Sequence, residues 1–483
     1  MAELLPTLLD LAQTNGGTLA HRLTERLRSQ IAGGRLPAGH RLPSSRAMAS
    51  SLGISRNTVV EAITQLAAAG YLVRSKNRRP EVAAGAARLS SRPQEKAQDD
   101  RPSPRLSSWA RTLPDGLWPP AYPQRPAAFR PGLADEREFP FEAWGRCLRH
   151  AARRPHGGAD LAANDPALCE ALLAHLSAHR CLRPSADQIL ILPTAQAAIA
   201  LVAKVLMEPG ERAWIESPGY GGAAAALRAA GSDVVGVPMA DGGLVLDRKT
   251  APPRLVFVTP SHQYPTGTLM PIARRLELLR FTERVGAVVV EDDYDGDFHF
   301  DGRPVVPLAG LDAEARVFHV GTFSKVMTAG IRAGYVVVPR PFVEAFRAAQ
   351  RHLGLLVPMG IQAALAEFIG RGAFLSHIRR MTALYRRRRD HLVEALATVG
   401  GSTLSVAVPP GGMQLLARCD PRMDDVALCR RLQAAGVTAR PLADMLDHPS
   451  DERGLFLGFA AWREEEISAG TSILGMVLSD MDG

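Results

Sequence analysis

The stretch GTFSKVMTAGIRAGYVVVP, residues 321–339, decides the fold. It sets one lysine, Lys325, directly after an apolar run, RVFHVGTF, and an arginine, Arg332, seven positions further on, before a second apolar run. A lone lysine behind a strand is usually a solvated charge. Two other apolar runs end in the same way: AVVVEDD reaches Asp292 with Tyr294 two residues later, and RLVFVTP runs into SHQYPTG. An acid, a phenol and a lysine gathered at strand ends are costly to bury unless chemistry uses them.

Outward from this stretch the body alternates. DQILIL, ERAWIES, RLVFVTP, AVVVEDD, RVFHVGTF and AGYVVVP read as strands. AQAAIALVAKVL, YGGAAAALRAAG and PIARRLELLRFTERVG read as helices between them. Continuous Val/Ile runs separated by helices predict an α/β fold with a mostly parallel sheet buried on both faces. Ligands of such sheets gather at the carboxyl ends of the strands. The chemistry that needs this residue set is Schiff-base chemistry on a pyridine aldehyde. Lys325 condenses with the aldehyde, and Asp292 keeps the ring nitrogen protonated. Tyr294 lies by the ring oxygen. Thr322, the helix start at Thr194, Ala195 and Gln196, and Arg332 hold a phosphate.

The 483 residues suggest two to four domains, and 46% apolar composition allows a large core. Five cysteines form no CxxC pair, so we expect reduced thiols in a cytoplasmic protein and no metal site. The first residues lack a basic signal-peptide start, no apolar run is long enough to span a bilayer, and no internal repeat recurs. The net charge of +8 is uneven: residues 1–85 hold eleven basic and five acidic side chains. A basic segment on a nearly neutral body points to a phosphate backbone as partner.

Within that segment TLAHRLTERLRSQIAGG carries Leu19, Leu23, Leu27 and Ile31 on one helical face. A second helix opens at Ser44 or Ser45 and closes at Gly53. A third, capped by Ser55, buries Val59, Ile63 and Leu66. The third begins with Arg56, Asn57 and Thr58, donors at the end that enters a major groove, and the basic run RSKNRR (74–79) follows. Residues 86–114, rich in Ser, Pro, Arg and Asp, read as a flexible linker.

GRLPAGHRLPSSRAMASSLGISRNTVVEAITQLAAAGYL resembles the winged helix of GntR-type bacterial regulators. That resemblance implies DNA contacts from Ser44, Ser45 and Arg46, with Arg56, Asn57 and Thr58 on the recognition helix. Lys76 and Arg78 add charge from the wing. The wing departs from the family: it reads SKNRRPEVA, without the glycine of a tight hairpin and with Pro80 lacking an N–H.

The body resembles fold-type-I aminotransferases over about residues 116–465, on VTPSHQYPTG, EDDYDGDFHFDGRP and GTFSKVMTAGIRAGYVVVP. With the head, the chain resembles the MocR/GabR regulators. The resemblance implies a winged head over 1–85, a linker over 86–114, and a pyridoxal 5'-phosphate (PLP) binding body over 115–483. A smaller α+β subdomain would occupy about 375–483. It implies that Lys325 forms the aldimine, Asp292 pairs with the pyridine nitrogen, Tyr294 lies by the ring hydroxyl, and Arg332 binds phosphate. Tyr220 of ESPGYGG would lie by the ring. It implies a homodimer on operator DNA that senses a small amine, an amino acid or PLP.

Three positions depart from the aminotransferase pattern, and a fourth from the GABA-sensing regulators. Thr194 stands in a glycine place, Tyr264 in an asparagine place, Gly222 where GABA-sensing members have an arginine, and Phe456 where amino-acid binders carry a carboxylate-clamping arginine. An amine, an amino acid held by another arginine such as Arg440, and the cofactor itself stay open as effectors. Two rivals stand beside the sensor reading: an active aminotransferase with an appended head, and a DNA-binding protein whose body is only a dimerisation scaffold.

Overall fold

The computed structural model describes residues 18–75, 78–86, 105–112, 127–153, 163–246, 251–302, 306–448 and 450–482. They fall into two units that divide between Arg105 and Leu106.

The first unit packs three helices, Leu19–Ala32, Ser45–Leu52 and Arg56–Ala68. Each starts on a hydroxyl cap. Thr18 accepts from the His21 N–H at 3.3 Å, Ser44 from Ala47 at 3.2 Å and Ser55 from Thr58 at 3.1 Å. Gly53 ends the second helix with φ at +64°, a left-handed conformation that favours glycine. Leu23, Leu27, Ile31, Val59, Ile63 and Leu66 are buried together as their spacing predicts, while Leu19 at the first helical position is exposed. The wing forms despite Pro80: Leu72 pairs with Val82 and Val73 with Glu81. Pro80 needs no N–H there, because its carbonyl accepts from Leu42 at 2.8 Å while Val82 donates to His40 at 2.9 Å. Of the expected linker, 87–104 and 113–114 lie outside the described residues; Ser108–Thr112 is a short helix.

The body is built on an eight-stranded sheet. Its spatial order is Ile189–Leu192, Gly334–Val337, Val317–Thr322, Val288–Asp292, Leu255–Val258, Arg212–Ser217, Asp233–Ala240, Gly243–Leu244. The five strands from Val317–Thr322 to Asp233–Ala240 run parallel. Gly334–Val337 is antiparallel to both its neighbours. Its first residue therefore lies at the same sheet edge as the carboxyl ends of the others. Both faces are buried: Ile189 and Ile191 join one core cluster and Leu190 and Leu192 another. The strand Asp233–Ala240 carries no long apolar run and is largely half-exposed, so patterning misses it.

A 28-residue helix, Ala373–Gly400, leads into a smaller antiparallel sheet ordered Leu404–Val406, Gln414–Cys419, Gly454–Gly458, Arg440–Pro441. The last helix, Glu464–Asp482, packs against the helices Ala373–Gly400 and Asp425–Ala434. Among the described residues no helix is long and apolar enough to cross a membrane.

Gly321, four residues before Lys325, faces Tyr335 across the strand pair. A Cβ there would lie 2.2 Å from the Tyr335 ring. Gly321→Ala should cost about 1–3 kcal/mol by overpacking and lower the thermal midpoint. An unchanged melting curve would contradict this close approach.

Candidate functional site

Three adjacent parallel strands deliver the central groups. Val288–Asp292 ends on Asp292. Val317–Thr322 passes through Thr322 into the short helix Phe323–Val326 that carries Lys325. Leu255–Val258 leads into the segment of Tyr264. The strand stops at Asp292, so Tyr294 reaches the site by the turn that follows and not by strand alternation. Its hydroxyl donates to the His262 carbonyl at 3.0 Å, and its ring lies edge-on to Tyr264 at 6.2 Å.

Asp292 is buried, and its Oδ1 has no hydrogen-bond partner. Burial, then repulsion from Asp293 and Asp295, pushes its pKa up to about 7. Lys325 is partly buried, and its Nζ donates to the Gly132 carbonyl at 2.6 Å. Burial lowers its pKa, against the pull of Asp295 and Asp292. Gly132 has φ +76°, and a Cβ there would sit 2.9 Å from the lysine nitrogen. The left-handed backbone favours glycine there, and any side chain would push the lysine tip aside. No motif announces Gly132, since it lies 193 residues from Lys325 in the chain.

Below the site each remaining acid of the run has a basic partner. Arg180 bonds Asp293, His262 Nδ1 lies 2.8 Å from Asp295, and His175 Nε2 lies 3.1 Å from Asp297. Burial works against the Asp293 carboxylate, but Arg180 and His319 overcome it and hold its pKa down to about 2. Asp293 Oδ1 and Asp295 Oδ2 are also buried without a hydrogen-bond partner, but each of those carboxylates is engaged through its other oxygen, whereas no ion pair engages Asp292 among the described residues.

The expected phosphate groups meet at one sheet edge. Thr194 caps the helix Ala195–Leu206 and accepts from Ala197 at 3.0 Å. Its φ of −161° is extended backbone, so the glycine place tolerates threonine without strain. A Cβ on Gly334 would lie 3.1 Å from the Ala195 nitrogen, which brings the Thr322–Gly334 pair against this helix start. Thr322 accepts from the Ser324 N–H at 3.1 Å. Arg332 is exposed in a left-handed turn at φ +51°, two residues from Gly334. Gln196 accepts from the Tyr220 hydroxyl at 3.2 Å and donates to the Gly222 carbonyl at 2.7 Å. A Cβ on Gly222 would lie 2.5 Å from the Tyr220 ring, so an arginine there would displace Tyr220.

The far wall is aromatic. Tyr264 packs edge-on against Tyr220 at 5.5 Å and Phe456 at 4.9 Å. Buried Arg440 donates to the Tyr264 hydroxyl at 2.9 Å.

A phosphorylated pyridine aldehyde fits these groups. The orphaned Asp292 oxygen calls for a protonated ring nitrogen, the helix start and Arg332 for an anion, and the depressed Lys325 for an electrophile.

In the head, Arg46, Arg56 and Asn57 are exposed at the starts of the second and third helices. Arg56 Nε donates to Ser45 Oγ at 3.4 Å, which ties the two helices. The Ser44 and Thr58 hydroxyls engage in caps, Thr58 Oγ1 lying 2.8 Å from Ser55 Oγ. Arg78 is exposed on the wing, and Lys76 lies outside the described residues.

The aminotransferase class I and II family profile matches residues 142–447, and that of the bacterial regulatory proteins, gntR family, matches 19–82. A probable rhizopine catabolism regulatory protein MocR of Rhizobium meliloti is 36% identical, over 91% of this chain and 90% of its own. The transcriptional regulator TauR of Rhodobacter capsulatus is 35% identical over 92% and 93%. A pyridoxine biosynthesis regulator, PdxR, of Corynebacterium glutamicum is 29% identical over 92% and 93%. Among solved structures, an alpha-aminoadipate aminotransferase of Thermus thermophilus complexed with N-(5'-phosphopyridoxyl)-L-leucine superposes with a TM-score of 0.67. It is 27% identical and covers 78% of this chain and 95% of its own.

The raised pKa of Asp292 sets a pH test on cofactor-free protein. A raised acid binds its proton more tightly folded than unfolded, so its contribution is full below about pH 4 and lost as pH rises through about 7. Urea unfolding should show wild type losing stability relative to Asp292→Asn between these values. Parallel profiles would contradict the assignment.

Proposed function

The chain belongs to the MocR/GabR family of GntR-type transcriptional regulators, and from that premise we propose that its body holds PLP at Lys325 while its head holds operator DNA. Bound there, the cofactor supplies an aldehyde that takes up amines and a ring that accepts electrons. Lys325 meets it with an amine whose buried setting favours the uncharged, nucleophilic form. Asp292 keeps a proton on the ring nitrogen, and that cation in turn lets the carboxylate ionise. Tyr294 and Tyr220 flank the ring. Thr194, Ala195, Gln196, Thr322 and Arg332 take the phosphate.

The single observation that carries this reading is the pairing of Asp292 and Lys325 at neighbouring strand ends, the acid with a buried, unpartnered oxygen. End-to-end likeness to named regulators supports sensing over turnover as an aminotransferase. Competition between an incoming amine and Lys325 for the cofactor is the event we assign to sensing.

The head presents Arg46, Arg56 and Asn57 to the groove, with Ser44, Ser45 and Thr58 setting the helix starts and Lys76 and Arg78 on the flanking backbone. We take 1–85 as this head and 115–483 as the body, with 86–114 between. A homodimer would present two heads to paired half-sites, in the cytoplasm where the DNA is.

Purified protein mixed with PLP should gain an absorbance band, and borohydride should fix the cofactor on the peptide containing Lys325. Lys325→Ala should gain neither. A colourless wild-type protein with an unmodified lysine would refute the reading. In the head, Arg56→Ala should weaken operator binding by about 1–3 kcal/mol if Arg56 reads a base edge, measured by fluorescence anisotropy at fixed salt. Unchanged affinity would remove Arg56 from the interface.

A further inference from the structure

Gln414 enters the site from the small sheet, and nothing in the cofactor reading gives it a task. It opens the strand Gln414–Cys419, directly opposite Gly458. Alternation along that strand sends Leu415 and Ala417 into the main core of the body. Leu416 faces the other way, into the cluster with Phe456 and Tyr264, and Gln414 shares that side. Gln414 is 6% exposed, and among the described residues its Oε1 has no hydrogen-bond partner. A buried amide oxygen without a donor is costly.

Two neighbours set the direction of the amide. Tyr294 gives its own proton to the His262 carbonyl, so its oxygen is left to accept, and Gln414 Nε2 donates to it at 3.5 Å. Oε1 is the end turned toward Gly132. A Cβ on Gly132 would lie 4.0 Å from that oxygen and 2.9 Å from the Lys325 nitrogen, so the two atoms flank one point. The strand partner of Gln414 brings Gly132 there. Gly458 donates its N–H to the Phe129 carbonyl at 2.8 Å, and a Cβ on Gly458 would lie 2.5 Å from the Arg130 carbonyl oxygen.

We propose that Gln414 Oε1 and the Gly132 carbonyl form a holding site for the amine of Lys325, filled when an incoming amine has displaced that lysine from the cofactor. The proposal rests on the reading that the pocket holds PLP, and it names what keeps the released lysine. An ammonium has three donors and no acceptor. Gly132 takes one at 2.6 Å. Oε1 offers a second acceptor, reached directly or through one water. Asp295 and Asp292 favour the charged amine and Arg130 opposes it, and Gln414 adds a neutral dipole to that balance. The three parts come from different places: Lys325 follows a central strand of the large sheet, Gly132 lies on the segment before the first helix of the body, and Gln414 belongs to the small sheet. A released lysine therefore ties the small sheet to the large one, and the small sheet feels whether Lys325 is joined to the cofactor. Gln414 is a positioning residue in this account: it sets how readily Lys325 yields its place.

The first measurement uses full-length protein free of cofactor. Acylation of Lys325 by acetic anhydride is followed by peptide mass mapping across pH, and the midpoint reports the titration of its amine. Gln414→Leu should lower that midpoint by about one pH unit, because losing an acceptor disfavours the charged form. Gln414→Glu, of nearly the same shape, should raise it, and it tests the site even if the leucine variant does not fold. The second measurement uses protein saturated with PLP, titrated with methylamine while the cofactor absorbance band is read. Gln414→Leu should need about tenfold more amine, the counterpart of one pH unit. A merely structural role would move the melting curve and leave the acylation midpoint in place. Wild-type midpoints in both variants would overturn the proposal and leave Oε1 to a bound water only. Failure of the wild type to take up PLP at all would instead defeat the reading it rests on.

Discussion

A carboxylate buried beside a half-hidden lysine governs the rest of the body. Asp292 sits at the end of a strand whose whole length is buried, with one oxygen that meets no donor. A lone ion in that place is expensive, and its pKa near 7 records the cost. Its neighbours in the run have basic partners, Arg180 for Asp293, His262 for Asp295 and His175 for Asp297. Asp292 is the acid of this run without such a partner, and His319 and Lys325 offset its burial only in part. The parallel order of the central strands brings it to Lys325, and the antiparallel return through Gly334 brings the Thr194 helix start to the same edge as Thr322.

Much of this was legible because each feature is local. Val/Ile runs give buried strands, and the polar residues at their ends follow directly from the chain. Thr194, Thr322 and Arg332 flank those runs and were readable for the same reason. The hydroxyl caps Ser44 and Ser55 and the closing Gly53 mark the head helices within a few residues. What escaped reading depends on distant pairing. Gly132 meets Lys325 across 193 residues, and only its left-handed backbone explains why it is glycine. Tyr294 lies beyond the strand end at Asp292, so the turn that follows and not the strand pattern places it. The strand Asp233–Ala240 escaped because a place near the sheet margin needs no continuous apolar run. The pairing of Arg440 with Phe456 is a matter of register, which composition does not encode.

The departures from an aminotransferase pattern make physical sense together. Threonine at 194 fits because its backbone is extended. Glycine at 222 leaves the Tyr220 ring its place against Gln196. Phenylalanine at 456 meets Tyr264 edge-on, and Arg440 donates to the Tyr264 hydroxyl. In the head, the same economy of caps places Arg56 and Asn57 at a helix start, where donors face outward.

The central claim is that Asp292 exists to meet a protonated ring nitrogen. Binding of PLP can be compared with binding of the analogue in which that nitrogen is replaced by carbon, in wild type and in Asp292→Asn. The account predicts that wild type prefers PLP by about tenfold or more, about 1.4 kcal/mol of charge pairing, and that the preference vanishes in Asp292→Asn. Equal affinity of wild type for the two compounds would contradict it.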